Sequence, residues 1–263
     1  MKGIIGTICG DIIGSTREFN PIKTKDFELF QPTSTFTDDT IMTLAIANWL
    51  IKDKTSPDTL IKELQYWGNH YPYAGYGGMF INWLREDNPE PYGSWANGSA
   101  MRVSPCAWAA DSLKEAQDLA KMSAVVTHNH LEGIKGALAT SDAIYLARTG
   151  FDKEEIKNHI VSEYEYDLER SLDEIRPDYK FDVSCAGSVP ESIICFLEAH
   201  DFEDAIRNAV SLGGDADTQA AIAGSIASAY FEVPIEIADE AVGRLDPILF
   251  EVFNDFSEKF DLY

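Results

Sequence analysis

Gly213-Gly214-Asp215-Ala216-Asp217-Thr218-Gln219-Ala220-Ala221-Ile222-Ala223-Gly224-Ser225-Ile226-Ala227-Ser228-Ala229 opens on two glycines and two aspartates, then continues without a bulky side chain. From Ala220 to Ala229 nothing is larger than isoleucine, and Ala, Gly and Ser dominate. Such a run is a helix that a neighbouring backbone can approach closely, because helix separation is set by the side chains at the contact. A second segment has the same grammar. Phe36-Thr37-Asp38-Asp39-Thr40 stands just ahead of Ile41 to Ile51, which is apolar on nearly every side and suits a helix buried among other helices.

Working outward, helical periodicity dominates. Ser56-Pro57 starts a helix whose face carries Leu60, Ile61, Leu64 and Trp67. Ser112 with Glu115, and Asp152 with Glu155, read as capping boxes. Asp204 to Leu212 reads as a helix, Pro190 as the start of another, and Asp246-Pro247 as the start of the last. No period-2 alternation is bounded by hairpin turns. The expectation is one all-α domain spanning residues 1–263, a single compact multi-helix unit. Its glycine- and aromatic-rich loops are Tyr71 to Gly78 and Tyr92 to Gly98, and the charge-rich run Asp152 to Tyr179 reads as a mobile surface helix and loop.

Forty-four acidic residues stand against 21 basic ones, a net charge of −23. That balance argues against nucleic-acid binding, which needs a basic surface, and against docking on anionic membranes. Cys9, Cys106, Cys185 and Cys195 show neither C-x-x-C spacing nor disulfide-like density, so a reducing compartment is expected. Gly3 to Gly10 is too short for a signal sequence and ends at Asp11, and no stretch reaches the ~18 apolar residues of a spanning helix. A cytoplasmic protein is expected.

Each Asp segment puts two carboxylates and a hydroxyl at a helix N-terminus. Asp and Thr are good N-caps, so capping alone is the simple explanation. Capping, however, needs one side chain, and both helices are apolar enough to bring these acids inward. Converging carboxylates repel unless something neutralises them, and hard divalent cations do so with oxygen ligands. Zinc fits poorly: there is no H-E-x-x-H, and His128 and His130 are two apart, off a common helix face. Asp215-Ala216-Asp217-Thr218 also matches the D-x-D-x-T of haloacid-dehalogenase-type phosphatases. There the first Asp ends a buried strand, whereas here a helix and two glycines precede it. Nothing resembles a serine triad, and Gly75-Tyr76-Gly77-Gly78 lacks the Lys of a P-loop.

Six motifs in order carry a resemblance covering about Gly3 to Pro234. They are Gly10-Asp11-Ile12-Ile13-Gly14-Ser15 with Glu18, Thr37-Asp38-Asp39-Thr40, Gly75-Tyr76-Gly77-Gly78, Asn97-Gly98-Ser99-Ala100-Met101-Arg102, Thr127-His128, and Gly213-Gly214-Asp215-Ala216-Asp217-Thr218. In these the chain resembles the ADP-ribosylglycohydrolases. The resemblance implies a binuclear centre of two divalent cations, Mg²⁺ or Mn²⁺, in a cleft. Its implied ligands are Thr37, Asp38 and Asp39 on one side and Asp215, Asp217 and Thr218 on the other. Glu18, and with it Asp39, are the implied catalytic carboxylates; Asp11 is the reserve, with a helix-buried structural acid as its alternative. Gly75, Tyr76, Gly77 and Gly78 would lie along the distal ribose and diphosphate. Ser94, Trp95, Asn97 and Gly98 would lie along the diphosphate and adenosine, with His128 lining the cleft. The implied reaction hydrolyses the bond at the distal ribose C1″ of ADP-ribosylated protein side chains and releases ADP-ribose. Small conjugates such as O-acetyl-ADP-ribose are the alternative substrates, and a non-catalytic ADP-ribose-binding module the alternative function. Arg17 departs from the family, which often has an aromatic there.

Overall fold

Hydroxyl and carboxylate side chains decide where most helices begin, by accepting a hydrogen bond from a first-turn N–H that has no partner within the helix. In the computed structural model, which describes residues 1–262, fifteen helices result and no strand is present among the described residues. The first five are α1 (Ile5–Gly14), α2 (Asp38–Asp53), α3 (Pro57–His70), α4 (Gly78–Trp83) and α5 (Gly98–Met101). Next come α6 (Ser104–Ala109), α7 (Leu113–Val125), α8 (Leu131–Arg148), α9 (Lys153–Tyr164) and α10 (Leu172–Ile175). The last are α11 (Cys185–Glu198), α12 (Phe202–Ser211), α13 (Ala216–Tyr230), α14 (Ile235–Val242) and α15 (Pro247–Lys259). Ser56 caps α3, Asp246 caps α15, and Asp152 with Glu155 forms a complete capping box on α9. Ser112 caps α7, but Glu115 reaches back to the Asp111 N–H instead, so only half of that box forms.

The small-residue helix α13 packs most extensively against α1. Gly6, Gly10 and Gly14 recur every four residues along α1, facing Gly224, Ala220 and Ala216. A Cβ on Gly10 would stand 2.0 Å from the Ala220 carbonyl oxygen, so the two helices touch backbone to backbone. That approach places Asp11 of α1 beside the acidic start of α13. Helices α8, α11 and α12 wrap the rest of α13, while α2 lies against α1, α3, α6 and α15. Ile4, Ile8, Ile12, Trp49, Phe196, Ile222 and Phe256 lie in the core that these helices enclose.

Two expectations need correction. Pro190 does not begin a helix but sits inside α11. Ser184 starts α11 five residues earlier than Pro190 suggests, accepting from the Gly187 N–H, and the helix continues through Pro190 without the N–H that would bond the Ala186 carbonyl. The Asp152–Tyr179 run is not a loose surface segment either. Ile156, Ile160, Tyr164, Tyr166, Leu168, Leu172 and Ile175 are buried along it. Asp142 of α8, fully buried, fastens it by accepting from Tyr164 Oη (2.6 Å), with His159 Nε2 at 2.8 Å.

Residues 15–37, between α1 and α2, contain no helix. Three cations hold this segment down. Lys23 donates to the carbonyls of Tyr179 and Leu212; Arg207 donates to those of Lys25 and Phe27; Arg244 donates to those of Gln31 and Ser34. Arg207 and Arg244 also lie over the rings of Phe27 and Phe30. No helix among the described residues is long and apolar enough to cross a membrane.

Candidate active site

The starts of α2 and α13 meet at the floor of one cleft of about 670 Å³, its walls contributed by the Glu18 segment and the two glycine-rich loops. Thr37 caps α2, and its Oγ1 also donates to Asp11 Oδ1 at 2.6 Å. Asp11 Oδ2 accepts from the backbone N–H of Thr37 (2.9 Å) and Thr40 (3.0 Å). The α1 aspartate therefore serves as a second cap for α2, which frees Asp38 and Asp39 from that duty.

Asp39 is 1% exposed; its Oδ2 accepts from Thr218 Oγ1 at 3.1 Å, while its Oδ1 is buried with no partner. Asp38 keeps part of its surface open to the cleft. Its Oδ1 lies 3.1 Å from where a Cβ on Gly75 would stand, and Gly75 has φ +111°, a backbone that only glycine adopts without strain. Asp215 Oδ2 accepts from Asn97 Nδ2 at 2.7 Å, and Asp217 Oδ1 accepts from the Thr218 N–H at 2.9 Å. Carboxylate oxygens of Asp11, Asp39 and Asp217 lie within 4.8 Å of one another, and so do those of Glu18, Asp215 and Asp217. None of these acids is paired with a Lys or Arg among the described residues.

Electrostatics follow from that crowding. Burial first, then the surrounding carboxylates, holds Asp38, Asp39 and Asp217 well above the usual carboxylate range. Burial also raises Asp215 and Asp11, the latter against the pull of its hydrogen bonds. Glu18, half-buried and beside Asp215, is pushed up to about 7. An orphaned buried Asp39 oxygen and two all-oxygen groups of converging acids fit a hard divalent cation, which prefers oxygen ligands and offsets the repulsion. Thr218 adds a hydroxyl at the same floor, whereas Thr37 does not line the cleft and its hydroxyl donates to Asp11.

The remaining expected residues border the cleft in different ways. Gly75, Gly77, Gly78, Ser94, Trp95, Gly98 and His128 line it, with Trp95 half exposed. Tyr76 turns away and is buried against Phe80, its hydroxyl without a partner. Asn97 touches the cleft, but its amide N–H groups are committed to Asp215 and to Ser188. Of the neighbours that sequence reading passed over, Phe19 and Phe181 stack across the cleft mouth at 6.3 Å. Phe181 carries no sequence signal; Phe19 follows Glu18 directly and is 83% exposed, which is unreadable without the fold.

A family model described as ADP-ribosylglycohydrolase matches residues 1–256. Among curated proteins, the chain is 28% identical over 259 residues to the ADP-ribosylhydrolase ARH3 of Mus musculus, covering 74% of this chain and 69% of that one. It is also 28% identical over 270 residues to the ADP-ribosylarginine hydrolase Tri1 of Pseudomonas putida (strain GB-1), covering 88% of this chain and 70% of that one. Among solved structures, a chain of an "ADP-ribosylglycohydrolase-related protein complex" superposes with a TM-score of 0.75 at 21% identity. That match covers 97% of this chain and 95% of the other.

Proposed function

The chain belongs to the ADP-ribosylglycohydrolase family and is a glycosidic-bond hydrolase, and from that premise we propose that it cleaves the distal ribose C1″ bond of ADP-ribosylated protein side chains, releasing ADP-ribose, with two Mg²⁺ or Mn²⁺ ions. The observation that carries this reading is the meeting of two acidic helix starts at one cleft floor. Thr37, Asp38, Asp39, Asp215, Asp217 and Thr218 would hold the cations. When bound, the cations would supply fixed positive charge that orients ribose hydroxyls and an attacking water.

The chain's own residues do the rest. Cleavage at C1″ develops oxocarbenium character, which a nearby carboxylate stabilises. Glu18 stands beside Asp215 and Asp217, open to the cleft, where it can face that carbon and accept a proton from water. Asp39 orients the floor through Thr218. Asp11 is committed to three donors at the start of α2, which supports its structural reading over a role as base. The backbone of Gly75, Gly77 and Gly78 offers N–H groups without a side chain in the way, and the half-exposed Trp95 offers a face for the adenine.

The test is turnover of defined ADP-ribose conjugates, linked through arginine, serine or an acetyl ester, with and without each metal. Metal-dependent release of ADP-ribose from a protein side chain is the expected result. Turnover of the acetyl ester alone overturns the protein-substrate part, and binding without turnover of any conjugate overturns the hydrolytic reading.

A further inference from the structure

A chain of hydrogen bonds runs from the protein interior into the cleft wall. Arg102 is 1% exposed; its Nη2 donates to the Ser123 carbonyl at 2.7 Å and to Thr127 Oγ1 at 2.8 Å. Thr127 Oγ1 in turn lies 2.7 Å from His128 Nδ1. A guanidinium only donates, so the Thr127 oxygen accepts from Arg102 and its single proton goes elsewhere. Two acceptors are within reach: His128 Nδ1, and the Ala124 carbonyl at 3.5 Å. The second is at the outer limit of a hydrogen bond, and the opposite tautomer, with Nδ1–H donating to the Thr127 oxygen, would leave the hydroxyl proton with only that weak contact. His128 Nδ1 is then an acceptor. A neutral imidazole that accepts at Nδ1 carries its proton on Nε2.

The surroundings agree. Burial, and then the Arg102 charge, disfavour a second proton on the ring and hold its pKa well below the usual histidine value. Nε2 makes no hydrogen bond among the described residues, although the side chain is only 4% exposed. It lies beside Gly98, where a Cβ would come within 3.1 Å of it, and it faces the cleft. A ring nitrogen that no protein group engages, on a side chain otherwise packed into the cleft wall, is open to a ligand acceptor.

We infer that Arg102 and Thr127 are positioning residues that lock His128 as a neutral Nε2–H donor, which binds an oxygen of the ADP-ribose ligand. The opposite tautomer would aim a lone pair at that oxygen and repel it. The identity of the ligand rests on the function proposed above; the tautomer does not. Thr127 does not line the cleft and acts through His128, whereas Arg102 also borders the cleft beside its bond to Thr127.

Nitrogen-15 NMR of the imidazole in the free wild-type protein reads the tautomer directly, and titration of ADP-ribose reads the donor. The expected spectrum has a protonated Nε2 and a bare Nδ1 at neutral pH. Thr127→Val keeps the shape of the side chain and removes the relay. It is expected to mix the two tautomers and weaken ADP-ribose about tenfold, the scale of one hydrogen bond, while kcat at saturating substrate stays near wild type. Thr127→Ser is expected to restore both the spectrum and the affinity. A proton on Nδ1 in the wild type overturns the relay, even if the valine variant fails to fold. Unchanged affinity in a folded Thr127→Val with mixed tautomers overturns the donor role. A wild type with the expected tautomer and no affinity for ADP-ribose overturns the ligand assignment and the functional reading, and leaves the relay standing.

Discussion

Trp95 shows how one residue divides binding from chemistry. Its ring is half exposed on the cleft wall, away from the acidic floor. Its backbone carbonyl accepts from the Cys185 N–H at 3.0 Å, so removing the ring leaves the loop anchored. Trp95→Ala is expected to weaken ADP-ribose by about 1–3 kcal/mol, the worth of a base–aromatic stack. The chemical step at saturating substrate is expected to change little, and single-turnover kinetics beside calorimetry separates the two. Unchanged affinity would remove Trp95 from the adenine site. Asn97 makes the opposite point. Its place in a motif marks it as a ligand contact, but the fold spends its amide on Asp215, a role that depends on a residue 118 positions away.

Among elements, the α1–α13 contact governs the site, because it carries Asp11 to the start of α2 and sets the α13 acids opposite Asp39. Gly10→Ala forces a Cβ to 2.0 Å from a backbone oxygen that cannot rotate aside. Overpacking usually costs about 1–3 kcal/mol, and a clash with backbone stands at the upper end or beyond. Gly77→Ala is the control, since nothing lies within 4 Å of the added atom. Its melting temperature is expected to stay near wild type, while Gly10→Ala falls clearly; equal melting in the two variants would deny the close approach. The small side chains of α13 announced such a contact in the sequence, as did the caps at Ser56, Asp152 and Asp246. The partner glycines on α1 were not readable as a stripe, because their meaning depends on which helix faces them. Helix α8 was missed for a related reason: it is buried on so many sides that it has no polar face to set a period. The helices α4, α5 and α6 are too short for periodicity to register. Both acidic segments of the proposed metal site were legible as converging acids because paired acids ahead of apolar helices conflict with burial unless a ligand resolves the conflict. The cleft-mouth aromatics were not, since Phe19 and Phe181 meet only through the tertiary fold.

At the scale of the whole molecule, a protein of net charge −23 gathers four buried acids, Asp11, Asp39, Asp215 and Asp217, at one point, with no Lys or Arg paired to them among the described residues. Without metal, that repulsion opposes folding. A cation that binds only the folded state adds about 2.7 kcal/mol at a hundredfold excess over its dissociation constant. For a chain of this size that is roughly 5–10 °C in melting temperature. Asp39→Asn separates the two effects, because it removes both a repelling charge and a ligand. The variant is expected to melt above wild type without metal and to lose most of the response to metal. A simple capping aspartate would do neither, since Asn caps about as well as Asp. The most direct measurement is therefore the melting temperature of wild type and Asp39→Asn, each in Mg²⁺, in Mn²⁺ and in monovalent salt at matched ionic strength. A divalent-specific rise in wild type, with the order of the two proteins reversed between metal-free and metal-bound states, is the predicted result. The absence of any divalent-specific shift at millimolar metal would contradict the account.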